Sequence, residues 1–232
     1  MLEISRLDAY YGNSRALQNV DIRVPDGGFL SIIGRNGVGK TTLLRAILGL
    51  MDRTRGSIRL DGVEISGMPT YRRARAGIGY VPQGRGILPR FTVAENLRMG
   101  TFARDETRAP VDEAFIFSLF PVLKERLGVR GGNLSGGQQQ QLAIARALLS
   151  SPRIILLDEP TEGIQPNVVE QIETVIRRLN KELGITIVLV DQDIAFARSA
   201  SDSFAIIDKG RVVAGGPVTD LTDDLVNRHM AV

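Results

Sequence analysis

An apolar run, Phe29-Leu30-Ser31-Ile32-Ile33, leads into Gly34-Arg35-Asn36-Gly37-Val38-Gly39-Lys40-Thr41-Thr42 and leaves through Leu43-Leu44-Arg45-Ala46-Ile47-Leu48. Strand, glycine-rich turn and helix in that order leave few folds open. The turn carries the spacing G-x-x-x-x-G-K-[ST] of a phosphate-binding loop. Glycines let the backbone curl until successive N–H groups point inward, and the start of the helix adds partial positive charge at the same spot. Lys40 reaches the β- and γ-phosphates of a nucleotide, and the Thr41 hydroxyl ligates Mg²⁺. On this motif alone, kinases, GTPases and ATPases all remain open.

The totals narrow the setting. With 43% hydrophobic and 24% charged residues the chain can bury a substantial core. No apolar run is long enough to span a bilayer, and Met1-Leu2-Glu3-Ile4-Ser5-Arg6 lacks a signal-peptide pattern, so the cytoplasm is the expected compartment. Zero cysteines exclude disulfides and thiolate metal sites. The net charge of +3 is uneven: from Arg53 to Arg108 there are eleven arginines against five acidic residues. That excess reads either as a solvated surface or as a face near an anionic surface. Aromatics make up only 5%, without the interleaving single-strand binders use, so nucleic-acid binding is not expected.

Residues 2–7, Val20–Val24, Ser57–Leu60 and Ile78–Val81 read as strands, which makes the front of the chain strand-rich. From about 91 to 127 the pattern turns helical, over Val93–Met99, Val111–Phe120 and Val122–Leu127. A helix is expected from about Gln139 to Leu149, and another from Pro166 to Leu183 with Gly184 after its end. Arg153–Leu157 and Ile185–Val190 are continuous apolar runs, as in strands buried on both faces. Ser203–Ile207 and Arg211–Ala214 pair as a hairpin around Asp208-Lys209-Gly210. Strands alternating with helices predict an α/β fold with a mainly parallel sheet.

Two further motifs carry chemistry. Ile154-Ile155-Leu156-Leu157-Asp158-Glu159 puts two carboxylates at the exit of a buried strand. Asp158 is placed to hold Mg²⁺, and Glu159 to polarise the water that attacks the γ-phosphate. Leu134-Ser135-Gly136-Gly137-Gln138, just before a helix, is a second anion-binding device, offering a hydroxyl, glycine N–H groups and a helix N-terminus. One nucleotide does not need two such devices in one chain. The sensible use of Ser135, Gly136, Gly137 and Gln138 is in trans, closing over a nucleotide held by another subunit.

With these three motifs in place the chain resembles the ATP-binding subunit of ABC transporters over essentially its whole length. The resemblance implies a P-loop NTPase-type core with an N-terminal antiparallel β subdomain and an inserted α-helical subdomain. Residues 1–232 would form a single ATPase domain in which 91–150, carrying the Leu134–Gln138 motif, is the helical part. It implies ATP and Mg²⁺ as ligands. Gly34, Arg35, Asn36, Gly37, Gly39, Lys40, Thr41 and Thr42 would line the phosphate loop, and Thr41, Gln83 and Asp158 would surround the metal. Tyr11 matches the aromatic that stacks on adenine, with neighbouring Tyr10 as its rival. Gln83 matches the glutamine that touches Mg²⁺ and the attacking water, with Gly84–Arg90 after it at the interface to a membrane subunit.

Two positions depart from the family pattern. Gln192, in Val190-Asp191-Gln192-Asp193, stands where a switch histidine is usual, and the only histidine, His229, lies in the C-terminal tail. Gln165 replaces the usual aspartate after Asp158-Glu159-Pro160-Thr161. A glutamine amide still donates a hydrogen bond but cannot carry a proton or a charge. Hydrolysis is therefore expected to rest mainly on Glu159, with Gln192 assisting. These departures, with Tyr80-Val81-Pro82-Gln83-Gly84-Arg85, are similar to bacterial importers for branched-chain amino acids and related amides, and the phosphate-loop wording together with Glu162-Gly163-Ile164-Gln165-Pro166 looks closer to the urea and short-amide branch. The implied partners are a second ATPase subunit in a head-to-tail hetero- or homodimer, integral membrane permeases and, indirectly, a periplasmic solute-binding protein. The implied location is the cytoplasmic face of a bacterial inner membrane, as a peripheral subunit. A soluble ABC-type ATPase and a non-catalytic regulatory subunit remain as alternative readings.

Overall fold

The computed structural model describes residues 1–230. The first half of the chain runs β1 (Leu2–Tyr11), β2 (Ser14–Val24), β3 (Phe29–Ile33), α1 (Lys40–Leu48), β4 (Arg53–Leu60), β5 (Val63–Glu64), α2 (Thr70–Arg75) and β6 (Ile78–Val81). Then follow α3 (Val93–Thr101), α4 (Glu113–Leu119), α5 (Pro121–Glu125) and α6 (Gly136–Leu148). The last part is β7 (Ile154–Asp158), α7 (Pro166–Lys181), β8 (Thr186–Val190), α8 (Ile194–Ala200), β9 (Ser203–Asp208), β10 (Arg211–Pro217) and α9 (Asp223–Met230).

Two sheets result. Strands β2-β1-β4-β5 form an antiparallel sheet. The other sheet has the order β10-β9-β3-β8-β7-β6, parallel throughout except for the β9–β10 hairpin at its edge. Central strands β3, β7 and β8 are buried at every position, which is why they read as unbroken apolar runs. Their side chains alternate between two cores. Leu30, Ile32, Leu156 and Val188 pack with α1 and the antiparallel sheet, whereas Phe29, Ile155, Leu157 and Leu189 pack with α3, α6 and α7. Helix α1 thus lies between the two sheets, and its N-terminus opens at the carboxyl ends of β3 and β7. That crevice beyond the strand ends is where open α/β sheets bind ligands.

Several details differ from expectation. Helix α6 begins at Gly136, three residues before the expected start, so Gly136-Gly137-Gln138 form its first turn instead of a loop leading into it. Ser135 is its cap: Ser135 Oγ accepts from Gln138 N at 3.4 Å while Gln138 Oε1 accepts from Ser135 N at 3.1 Å. This reciprocal pairing satisfies the Ser135 and Gln138 N–H groups and helps offset the conformational entropy that two glycines lose in a first turn. Helices α2, α8 and α9 were not foreseen, and β1 runs four residues beyond Leu7 because a register shift near Arg6 breaks its alternation. Helices α3 and α6 approach so closely that a Cβ on Gly100 would sit 2.1 Å from the Arg146 carbonyl oxygen.

Candidate active site

The phosphate loop closes on its own lysine. Gly37 (φ 79°) and Gly39 (φ 117°) take left-handed conformations that turn the chain into α1. No side chain caps the N-terminus of α1, in contrast to α3, α4, α6 and α8, so its first N–H groups remain free for an anionic ligand. Lys40 Nζ donates to the carbonyls of Gly34 (2.8 Å) and Arg35 (3.0 Å) and lies 3.4 Å from Glu159 Oε1. The lysine side chain is only 5% exposed, so its charge acts at low dielectric.

Strand β7 ends at Asp158, bonded to Thr41, and the next residue, Glu159, lies beside Lys40. Asp158 is 1% exposed and accepts from Thr41 Oγ1 at 3.1 Å and Tyr80 OH at 3.4 Å. Burial pushes Asp158 above the ordinary carboxylate range, and burial together with the Asp158 charge pushes the Tyr80 phenol up. An acidic side chain held by neutral donors beside a phosphate cradle suits a divalent cation, which would favour its ionised form. Among the described residues there is no cluster of three His, Cys, Asp or Glu side chains able to hold a metal alone. Thr41 and Asp158 therefore fit Mg²⁺ shared with phosphate oxygens and water, which is how Mg²⁺ is usually held.

Glu159 stands just past the strand with φ 46°, a left-handed conformation uncommon for a side chain of this kind. Two amides converge on it. Gln83 Nε2 donates to Glu159 Oε2 at 3.3 Å and to Glu162 Oε2 at 2.8 Å. Gln192 Nε2 donates to Glu159 Oε1 at 3.3 Å and to Asn36 Oδ1 at 2.8 Å. Asn36, Gly37, Gly39, Lys40, Thr41, Thr42, Gln83 and Glu159 line one cavity of about 230 Å³.

The remaining candidates lie apart from this cavity. Ser135, Gly136, Gly137 and Gln138 do not line it. Tyr10 is 9% exposed with the Arg53 guanidinium 4.2 Å from its ring centre, whereas Tyr11 is 40% exposed with Arg45 at 5.6 Å. Of the two rivals, Tyr11 is the more exposed. Gln165 caps α7 without a side-chain hydrogen bond and is exposed. Sequence reasoning missed Tyr80 and Glu162. The parallel register sets Tyr80 opposite Leu156, on the strand beside the one that ends at Asp158, but that pairing is invisible in a linear sequence.

Comparison with known proteins agrees with this geometry. Residues 17–162 match the ABC transporter family model. The chain is 42% identical to the high-affinity branched-chain amino acid transport ATP-binding protein BraG of Pseudomonas aeruginosa, over 92% of this chain and 91% of that one. It is 34% identical to a probable branched-chain amino acid transport ATP-binding protein, LivF, of Archaeoglobus fulgidus, over 96% and 94% of the two chains. Among solved structures, a dimeric post-hydrolysis ATP-binding cassette bound to ADP and Pi superposes with a TM-score of 0.82 at 29% identity, covering 94% of this chain and 99% of that one. A cradle, a strand-end carboxylate pair and full-length likeness thus converge, and the chain belongs to the ABC transporter family.

Proposed function

We propose that the chain is an ATP-hydrolysing, energy-coupling subunit of an importer, with branched-chain amino acids or short amides such as urea as the transported class. The free N–H groups of α1 and Lys40 hold the β- and γ-phosphates. Thr41, Asp158 and Gln83 hold Mg²⁺, which, when bound, neutralises charge on the phosphate oxygens. Glu159 orients and polarises the attacking water, and Gln83 and Gln192 fix the two oxygens of that carboxylate. Tyr11 stacks on adenine. Names of relatives support the amino-acid assignment; the urea branch rests on the wording of the phosphate loop together with Glu162-Gly163-Ile164-Gln165-Pro166.

Two ATP molecules are held between two chains arranged head to tail, a second related chain or a copy of this one. Closure then moves permeases, which dock near Gly84–Arg90 on the cytoplasmic face of the membrane and receive solute from a periplasmic binding protein. Among the described residues no helix is long and apolar enough to cross a membrane, which suits a peripheral place beside permeases.

The observation that carries this reading is the presence of two helix starts with N–H groups to offer, α1 uncapped and α6 capped by Ser135 only at the Gln138 N–H, of which only α1 belongs to the cavity with Glu159. A mixing experiment tests it. Lys40→Ala and Ser135→Arg chains are each expected to be inactive in phosphate release, and an equimolar mixture is expected to regain turnover, since one composite site then has both halves intact. A mixture as inactive as its components, beside an active wild type, would overturn the shared-site reading.

A further inference from the structure

The exits of β7 and β8 are joined by more than sheet pairing. Glu159 N donates to the Val190 carbonyl at 2.8 Å, and Gln192 Nε2 reaches Glu159 Oε1. A third link runs through Asp191, a residue the chemistry above does not use. Thr161 Oγ1 donates to Asp191 Oδ2 at 3.2 Å, while Asp191 Oδ1 accepts from the backbone N–H groups of Gln192 (2.6 Å) and Asp193 (3.1 Å). The Asp191 N–H is itself anchored to the Ile32 carbonyl of β3 at 3.3 Å.

Asp191 is 9% exposed, forms no ion pair among the described residues, and burial pushes it above the ordinary carboxylate range. A buried carboxylate held only by neutral donors is costly. What it supplies is geometry. It is an acceptor on two sides, so it gathers two backbone N–H groups on one oxygen and a hydroxyl on the other. Those partners flank the two groups whose placement matters most: the Gln192 amide, and Glu159 in its left-handed conformation, which persists only where its surroundings over-determine it.

We propose that Asp191 is a positioning residue for hydrolysis, holding Gln192 through its backbone and the turn after Glu159 through Thr161. It touches neither nucleotide nor metal and acts only through these neighbours. The inference rests on the reading of Glu159 and Gln192 as groups acting on bound ATP.

Steady-state hydrolysis by the full chain tests it. Asp191→Ala is expected to lower kcat about 10- to 100-fold, the scale of a displacement near 1 Å. KM and ATP affinity should stay within about twofold, as for an interaction that matters only in the transition state. Asp191→Asn keeps an oxygen for both N–H groups and can turn its amide to the Thr161 hydroxyl, so it should recover most of kcat. Thr161→Val should lose less than Asp191→Ala and add little to it. Wild-type kcat in Asp191→Ala, or an affinity loss as large as the kcat loss, overturns the proposal, as does an Asn variant no better than the Ala variant. If Asp191→Ala does not fold, Thr161→Val decides, and unchanged kcat there is equally fatal. Glu159→Gln is the control: should it retain turnover, the site reading and this inference fall together, whereas a dead Glu159→Gln beside an active Asp191→Ala overturns the inference alone.

Discussion

Glu159 combines a disfavoured backbone with two amide donors and a lysine at 3.4 Å, an arrangement that fixes both of its oxygens. Glu159→Gln is expected to lower turnover by about 10²–10⁴-fold, the usual weight of a positioned general base, while ATP still binds. Gln192→Ala should cost less, because it removes an orienting donor and leaves the base in place; rapid phosphate-release measurements on both variants compare them directly. Asp158 allows a stability prediction as well. Burial raises its proton affinity in the folded state above that in the unfolded chain, so its contribution is most favourable at low pH. That contribution is lost as pH climbs from the ordinary carboxylate value toward the raised one. At neutral pH without nucleotide, Asp158→Asn should therefore raise Tm by about 2–4 °C, corresponding to ~1 kcal/mol in a chain of this size. The same variant should hydrolyse ATP more slowly and need a higher Mg²⁺ concentration to do so. A scan with Tm unchanged or lowered would contradict the assignment of burial as the dominant cause. At this scale the sequence exposed the groups that follow fixed spacings, Lys40, Thr41, Asp158 and Glu159. It hid those brought in by register or by a loop crossing, Tyr80, Glu162 and Asp191, because no local pattern marks them.

Among the elements, those whose burial imposes a simple pattern were readable. Strands β3, β7 and β8 are covered on both faces and therefore apolar throughout, and α7 shows proline at its start and glycine beyond its end. Helix α2 was not readable: it spans six residues, three of them arginines, and its cap makes no side-chain bond. It is held instead by Arg73, a 3% exposed guanidinium that donates to the Ala46, Ile47, Ser66 and Met68 carbonyls and so covers the C-terminal end of α1. The sequence suggested a solvated or surface-binding role for the arginine excess of that region, and this member of it is neither. Helix α3 carries a complete capping box between Thr92 and Glu95. Thr92→Ala should cost ~1 kcal/mol in urea denaturation and leave ATP hydrolysis per folded chain unchanged. A fall in turnover at unchanged stability would mean that Thr92 acts on the site.

The two cradles of the whole molecule set what a pair of chains can do. With hydrolysis blocked by Glu159→Gln, ATP and Mg²⁺ should drive the chain into dimers visible by sedimentation, and Ser135→Arg in the same background should keep it monomeric. Dimers that form equally well in both backgrounds would place the interface elsewhere. The seam between α3 and α6 adds a mechanical condition. Because a Cβ at Gly100 would sit 2.1 Å from the Arg146 carbonyl oxygen, any larger residue there would have to push α3 away from α6. Met99 and Phe102, exposed on and just past the far end of α3, would be carried along by that displacement, so residue 100 sets where this apolar pair stands relative to α6.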